Sequence, residues 1–130
     1  MTNAILIGEV IATRLLSSET LKTYVENKVF PLIADNDTKF PFIVYKRTGV
    51  SVINQSKDGY NEDLVSYEIT VVSTKYDESI TIANEIRKIM ERPRIETTIM
   101  TLYDNKIMQV IEEFTDNCFI QKLTFNCKIN

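Results

Sequence analysis

The chain is 130 residues long, 44% apolar and 25% charged, with three Gly, three Pro, two Cys and neither His nor Trp. That length fits one compact unit over residues 1–130, large enough to bury a core without disulfides or structural metals, and the low Gly and Pro content argues against disorder and fibrous repeats. Fifteen basic against eighteen acidic residues give a net charge of −3 with no basic block, and no apolar run exceeds four residues, so neither direct nucleic-acid recognition nor a membrane span is expected.

Residues 3 to 16 read as a helix, because Ala4, Ile7, Ile11 and Leu15 recur at spacings of three and four and Asn3 or Thr2 is placed to cap the start. Leu6 and Val10 form a second stripe, so this helix must bury more than one face. Either it lies wholly in the core, or Ile7, Val10 and Ile11 contribute to a subunit contact. No Lys or Arg precedes Arg14 and Gly8-Glu9 interrupts the apolar segment, so a secretory signal is not expected. Ser18 is placed as N-cap of a short helix reaching about Tyr24.

Lys28 to Ala34 looks extended, and Pro31 within it marks an edge strand or a bulge. Residues 35–38 (DNDT) make a turn, since Asx side chains bond their own backbone. Pro41 opens a strand from Phe42 to Thr48, rich in strand formers. The polar stretch from Gly49 to Glu62 then reads as a long protruding hairpin around an Asp58-Gly59 turn. Asp63 to Thr74 has the clearest period of two, with Val65, Tyr67, Ile69 and Val71 on one face.

A helix follows from about Ser79 to Glu91, capped by Asp77 or Ser79, with Ile82, Ile86 and Ile89 on one face and Ala83 and Met90 beside them. Pro93 ends it. Thr97–Tyr103 and Lys106–Glu113 read as two strands joined by a tight Asp104-Asn105 loop. After an Asp116-Asn117 turn, Phe119, Leu123, Phe125, Cys127 and Ile129 form one face of a last strand, which Gln121 interrupts. The order of elements predicts an α+β fold: an antiparallel β-sheet with the N-terminal helix and one central helix packed on one face.

The missing histidines weigh against catalysis, because imidazole serves as the commonest general base and metal ligand. Carboxylates, Lys, Tyr or Cys remain, yet no nucleophile–base–orienter set emerges, so an enzyme is not expected. Cys118 and Cys127 are nine apart and face opposite sides of a regular strand, which forbids a bridge within it. Two free thiols suit a reducing compartment, and Cys127 shares the parity of the core residues. Asp35 and Asp37 lack the Gly and bidentate Glu of a calcium loop, while Glu112, Glu113 and Asp116 crowd the end of a strand, so neither a metal nor a cofactor is expected. The three Gly stand apart, so no phosphate cradle forms. Lys46, Arg47, Asn54, Gln55, Lys57, Asp58 and Tyr60 mix charge signs around one aromatic, which suits a protein-binding rim.

Lys28-Val29-Phe30-Pro31-Leu32-Ile33-Ala34 followed by Phe40-Pro41-Phe42-Ile43-Val44-Tyr45-Lys46-Arg47 resembles the paired V-(F/Y)-P and P-(F/Y)-I-V-Y signature of the tail-completion proteins of long-tailed bacteriophages. These are also described as tail terminators or head-to-tail joining proteins. The resemblance runs on through Leu64 to Thr74, Tyr76-Asp77 opening a helix, and the closing Leu123-Thr124-Phe125-Asn126-Cys127. It implies a non-enzymatic virion protein of α+β fold, made in the host bacterial cytoplasm. Such a protein forms a ring, usually hexameric, at the head-proximal end of the tail tube, with itself, the tube protein and the head connector as partners. The first helix then suits the subunit contact and the 49–62 hairpin the partner contact. The Ile- and Met-rich stretch between Arg94 and Asp116 departs from the pattern, which there has a shorter, Gly-containing connection. A cytoplasmic adaptor or small-ligand module, and a His-free hydrolase or transferase built on carboxylates, are the other classes the sequence leaves open.

Overall fold

The structure, a computed structural model, describes residues 2–57, 59 and 61–130; the expected contributions of Asp58 and Tyr60 lie outside the described residues. A 3₁₀ turn at Ala4–Leu6 runs into α1 (Ile7–Leu16), followed by α2 (Glu19–Val25), β1 (Val29–Pro31), β2 (Phe42–Gln55), β3 (Asn61–Ser73), α3 (Tyr76–Met90), β4 (Ile95–Glu96), β5 (Thr101–Thr115) and β6 (Cys118–Ile129). The six strands form one curled sheet in the order β1-β2-β3-β6-β5-β4.

The four long strands pair antiparallel, but β1 runs parallel to β2, so the sheet is mixed where an antiparallel one was expected. The cause is the connection. Residues 32–41 carry the chain back past β1, so that Val29 lies beside Ile43 and both strands run the same way. Pro31 ends β1 on the sheet margin, where a missing N–H costs no ladder bond.

The alternation read in β3 holds: Val65, Tyr67, Ile69 and Val71 are fully buried, and they meet Leu123, Phe125, Cys127 and Ile129 of β6 in the same buried cluster. Tyr67 stacks on Phe125 with ring centroids 5.0 Å apart. The cluster is completed by Ile7, Val10, Ile11 and Leu15 of α1, Leu21 and Val25 of α2, and Ile82, Ile86 and Met90 of α3. Gln121, the polar break in the β6 face, is buried and satisfied: its amide donates to Ser79 Oγ at 3.3 Å and to Glu112 at 3.2 Å.

Ends of elements follow side-chain chemistry. The Ser18 side chain accepts from the Leu21 N–H at 3.2 Å, capping α2 as expected. Ser18→Ala should therefore cost about 1 kcal/mol, read as a lower urea midpoint at unchanged slope. At the first helix Thr2 Oγ1 accepts from the Ala4 N–H, while Asn3 supplies its carbonyl to Leu6 rather than a side-chain cap. Helix α3 begins at Tyr76, three residues before the expected start, with Lys75 at the cap position. Ser79 is inside the helix, donating to the Tyr76 carbonyl at 2.7 Å, and Ser73 holds the entry by accepting from the Lys75 N–H and donating to Glu78.

The expected hairpin at Asp104-Asn105 does not form. β5 runs unbroken through it, and the reversal falls earlier, where Thr97 accepts and donates around the 97–100 turn and pairs β4 with the start of β5. Asp104 and Asn105 instead form a bulge, between Tyr103 opposite Lys128 and Lys106 opposite Asn126. The Asp104 backbone has φ 47°, a value an Asx residue tolerates. The buried Asn105 side chain accepts from the Tyr67 hydroxyl at 2.6 Å and donates to the Met90 carbonyl at 2.5 Å and the Arg92 carbonyl at 3.1 Å. An Asn-containing pair that reads as a turn is thus a polar plug closing the C-terminal end of α3.

Candidate functional site

Two limbs at opposite margins of the sheet carry unbroken runs of exposed residues, with further exposed apolar side chains such as Ile5, Leu32 and Ile33 outside them. The first is the outer part of the β2–β3 hairpin. β1 covers only Ile43–Tyr45 of β2, so from Lys46 to Gln55 the outer margin of β2 carries no intrachain strand and every side chain is exposed. Among these are Val50, Val52 and Ile53, with Val52 65% exposed. Lys46 and Arg47 stand at the root of this limb, where Arg47 also donates to the Ile5 carbonyl at 2.9 Å. Asn54 and Gln55 end the strand opposite Glu62 and Asn61, and Lys57 lies exposed in the turn. Gly59 completes that turn at φ 88°, a conformation that favours Gly, and donates to the Ser56 carbonyl.

The second limb is the outer part of β5. β4 pairs only with Thr101 and Leu102, so the strand beyond is paired on its β6 side alone. Residues 108–117 are all exposed, including Met108, Val110, Ile111 and Phe114. At its far end, a cleft of about 250 Å³ is lined by Tyr76, Glu112, Glu113, Phe114, Phe119 and Gln121. The rings pack edge to face or tilted, Phe119 against Tyr76 at 5.5 Å and against Phe114 at 4.8 Å. The Tyr76 hydroxyl donates to Glu112 at 3.1 Å, and that hydrogen bond, then the carboxylate charge, holds the phenol above its usual range. Glu113 bridges to Lys122 at 3.4 Å.

The structure divides the sequence-read interaction residues. Lys46, Arg47, Asn54, Gln55 and Lys57 all sit on the first limb. Ile7, Val10 and Ile11 are buried within the chain itself and offer no side chain to another subunit. The subunit-contact reading of that helix gives way to the core reading, because α1 packs against β1, β2, α2 and α3 and the exposed large apolar side chains of this segment are those of the preceding Ile5 and Leu6. The second limb was missed as an interaction element. Its signal lies in Met108-Gln109-Val110-Ile111-Glu112-Glu113-Phe114, whose apolar residues follow no period of two, as expected of a strand whose faces are both exposed. Among the described residues no group of three or more His, Cys, Asp or Glu is placed to hold a metal ion, and both cysteines are free and buried.

The chain matches the protein family described as "Tail completion protein gp17" over residues 9–108, from α1 to the middle of β5. It belongs to that family. Membership of the tail completion family gives it a structural role in a virion tail. Its fold is also similar to that of a chain in a solved structure titled "Virion of native gene transfer agent (GTA) particle". That chain is 10% identical, with a TM-score of 0.73 over 92% of this chain and 90% of the other. A second solved structure, 12% identical, matches with a TM-score of 0.67 over 100% of this chain and 97% of its own. No curated protein sequence matches the chain. No helix is long and apolar enough to cross a membrane among the described residues.

Proposed function

We propose that this tail completion protein forms a closed ring, of six copies as in the family, at the head-proximal end of a phage tail tube and there joins the tail to the head. The family match is the observation that carries this reading, because it spans most of the fold rather than a local motif. The protein acts by binding, without catalysis or cofactor. A ring needs a heterologous interface that closes and two end surfaces for different partners, and two exposed limbs at opposite sheet margins support the first. The protein is made in the host bacterial cytoplasm and carried in the virion tail.

Adding the protein to polymerising tail-tube protein from the same genome should stop tube growth and leave a ring of density at one tube end in electron micrographs. Tubes that grow on past equimolar protein with bare ends would overturn the proposal.

The tip of the β2–β3 hairpin is assigned to the head-side partner, because it projects polar groups such as Asn54, Gln55 and Lys57 beyond the buried core. Deleting residues 54–60 should leave thermal unfolding within about 1 kcal/mol of wild type, since none of the described residues among them belongs to the core. The same deletion should abolish joining of heads to capped tails in an extract assay. Undiminished joining would remove the tip from the mechanism.

A further inference from the structure

We propose that neighbouring copies join by strand addition, the β2 limb of one copy (residues 46–52) laid antiparallel along the β5 edge of the next (residues 107–113). This rests on the ring reading and names the joint it would use.

Strand direction comes first. In the order β2-β3-β6-β5 each neighbour is antiparallel, so the two outer strands of this set run in opposite directions. A copy rotated about an axis along the strands therefore brings its β2 beside β5 with antiparallel polarity, and the sheet continues from copy to copy. Each chain spends one edge of each kind, which makes the contact heterologous and lets a ring close. Both edges present unpaired backbone N–H and C=O groups, the condition under which strands recruit another chain.

Charge then selects the register. Lys46 and Arg47 are the cations on the β2 limb, and Glu113 and Glu112 are the anions on the β5 limb. Setting Lys46 against Glu113 and Arg47 against Glu112 satisfies the faces as well. Arg47 and Glu112 lie on the core-facing side, opposite Tyr67 and Gln121 in their own sheets, while Lys46 and Glu113 lie on the other side, opposite Glu68 and Ile120. The bulges keep the match in step. Thr48 is the extra residue between Arg47 and Gly49 of β2, and Met108 the extra residue between Ile107 and Gln109 of β5. Allowing for both, Val50 falls opposite Val110 and Val52 opposite Ile107, all four on the core-facing side. Val50, Val52 and Val110, left exposed by the single chain, and the half-buried Ile107 thus cover one another, and unlike charges meet at one end. Prior commitments do not block the charged pairs, because Arg47 uses one of five donors on Ile5, Tyr76 and Gln121 both donate to the same oxygen of Glu112, and Glu113 retains acceptor sites beside Lys122.

The test uses full-length protein. Val50→Cys and Val110→Cys are prepared separately, mixed at high concentration and mildly oxidised, with Asn84→Cys on the exposed side of α3 as a control partner. A mixed disulfide between positions 50 and 110, mapped by peptide mass spectrometry and absent with the control, is expected. Lys46→Glu with Arg47→Glu should weaken self-association, measured by sedimentation, about tenfold or more, and adding Glu112→Lys with Glu113→Lys should restore it. An oligomer that forms without the 50–110 link, or with 50–50 or 110–110 links alone, overturns the joint and leaves the ring standing. Absence of any oligomer, in solution and on tail tubes, overturns the ring and the joint together.

Discussion

Replacing Asn105 with Ala is expected to destabilise the protein by about 3–5 kcal/mol, a large share of the 5–15 kcal/mol typical of a domain. One side chain serves three partners: the buried Tyr67 hydroxyl and Met90 carbonyl, and the part-buried Arg92 carbonyl. Removing it strands a phenol that is fully buried and the Met90 carbonyl at the end of α3, each costing about 1–3 kcal/mol when left without a partner, and releases the more accessible Arg92 carbonyl at smaller cost. Tyr67→Phe should cost less, about 1–2 kcal/mol, because only the Asn105 oxygen loses its donor. Combining the two should cost clearly less than the sum, since both remove the same hydrogen bond. Urea unfolding of the four proteins measures all of this. A loss below about 1 kcal/mol for Asn105→Ala would show that water repairs the site and that the plug is dispensable.

The consequence reaches the interaction surface. Asn105 sits where β5 leaves the covered part of the sheet and becomes an open edge, and its backbone N–H is also held by the Pro93 carbonyl at 3.1 Å. An edge that recruits another strand must be presented in one register. The bulge at Asp104-Asn105, fastened to the end of α3, fixes where that register begins.

How much of this was legible in the sequence depended on whether local pattern or distant packing decided the element. The core face of β3 was plain, because Val65, Tyr67, Ile69 and Val71 alternate with polar residues and tertiary packing agrees with the period. The Ser18 cap was plain for the same reason: the hydrogen bond that defines it is local. The family was legible from the Val29-Phe30-Pro31 and Pro41-to-Tyr45 segments, which bracket the one parallel pairing of the sheet.

Asp104-Asn105 misled, because Asx pairs favour turns and bulges through the same backbone tolerance, and only the distant Tyr67 and α3 carbonyls distinguish the two. The start of α3 misled through Ser79, a good cap by type that points back into its own first turn. Ile7, Val10 and Ile11 form an apolar surface that sequence cannot assign to a core or a neighbour, because both bury side chains by the same means. The two open edges were invisible for a related reason. Whether a strand is covered depends on sheet order, and the shortness of β1 and β4, which leaves β2 and β5 bare, is set by the turns that follow them.

Alkaline pH is expected to unfold the protein through the same core. Burial pushes the Cys127 thiol from 9.0 up to about 12, and burial first, then the adjacent Cys127, raises the Tyr67 phenol well above 10.0 against the opposing pull of Asn105 and Arg14. Below pH 9 both folded and unfolded chains keep these protons, so the full stability is present. As pH rises from 9 towards 12 the unfolded chain releases the thiol proton and the folded chain holds it, and stability falls by about 1.4 kcal/mol per pH unit. By pH 12 Cys127 alone accounts for about 4 kcal/mol, and above pH 10 Tyr67 steepens the slope. Cys127→Ala should lower stability modestly near pH 8 by opening a small cavity, yet flatten the decline between pH 9 and 10, where the thiol titrates ahead of the phenol. Native Cys127 should also resist alkylation at pH 8 until the protein unfolds, because the reactive species is the thiolate. If wild type and Cys127→Ala lose stability at the same rate between pH 9 and 10, the buried thiol is not the group that limits the fold in alkali.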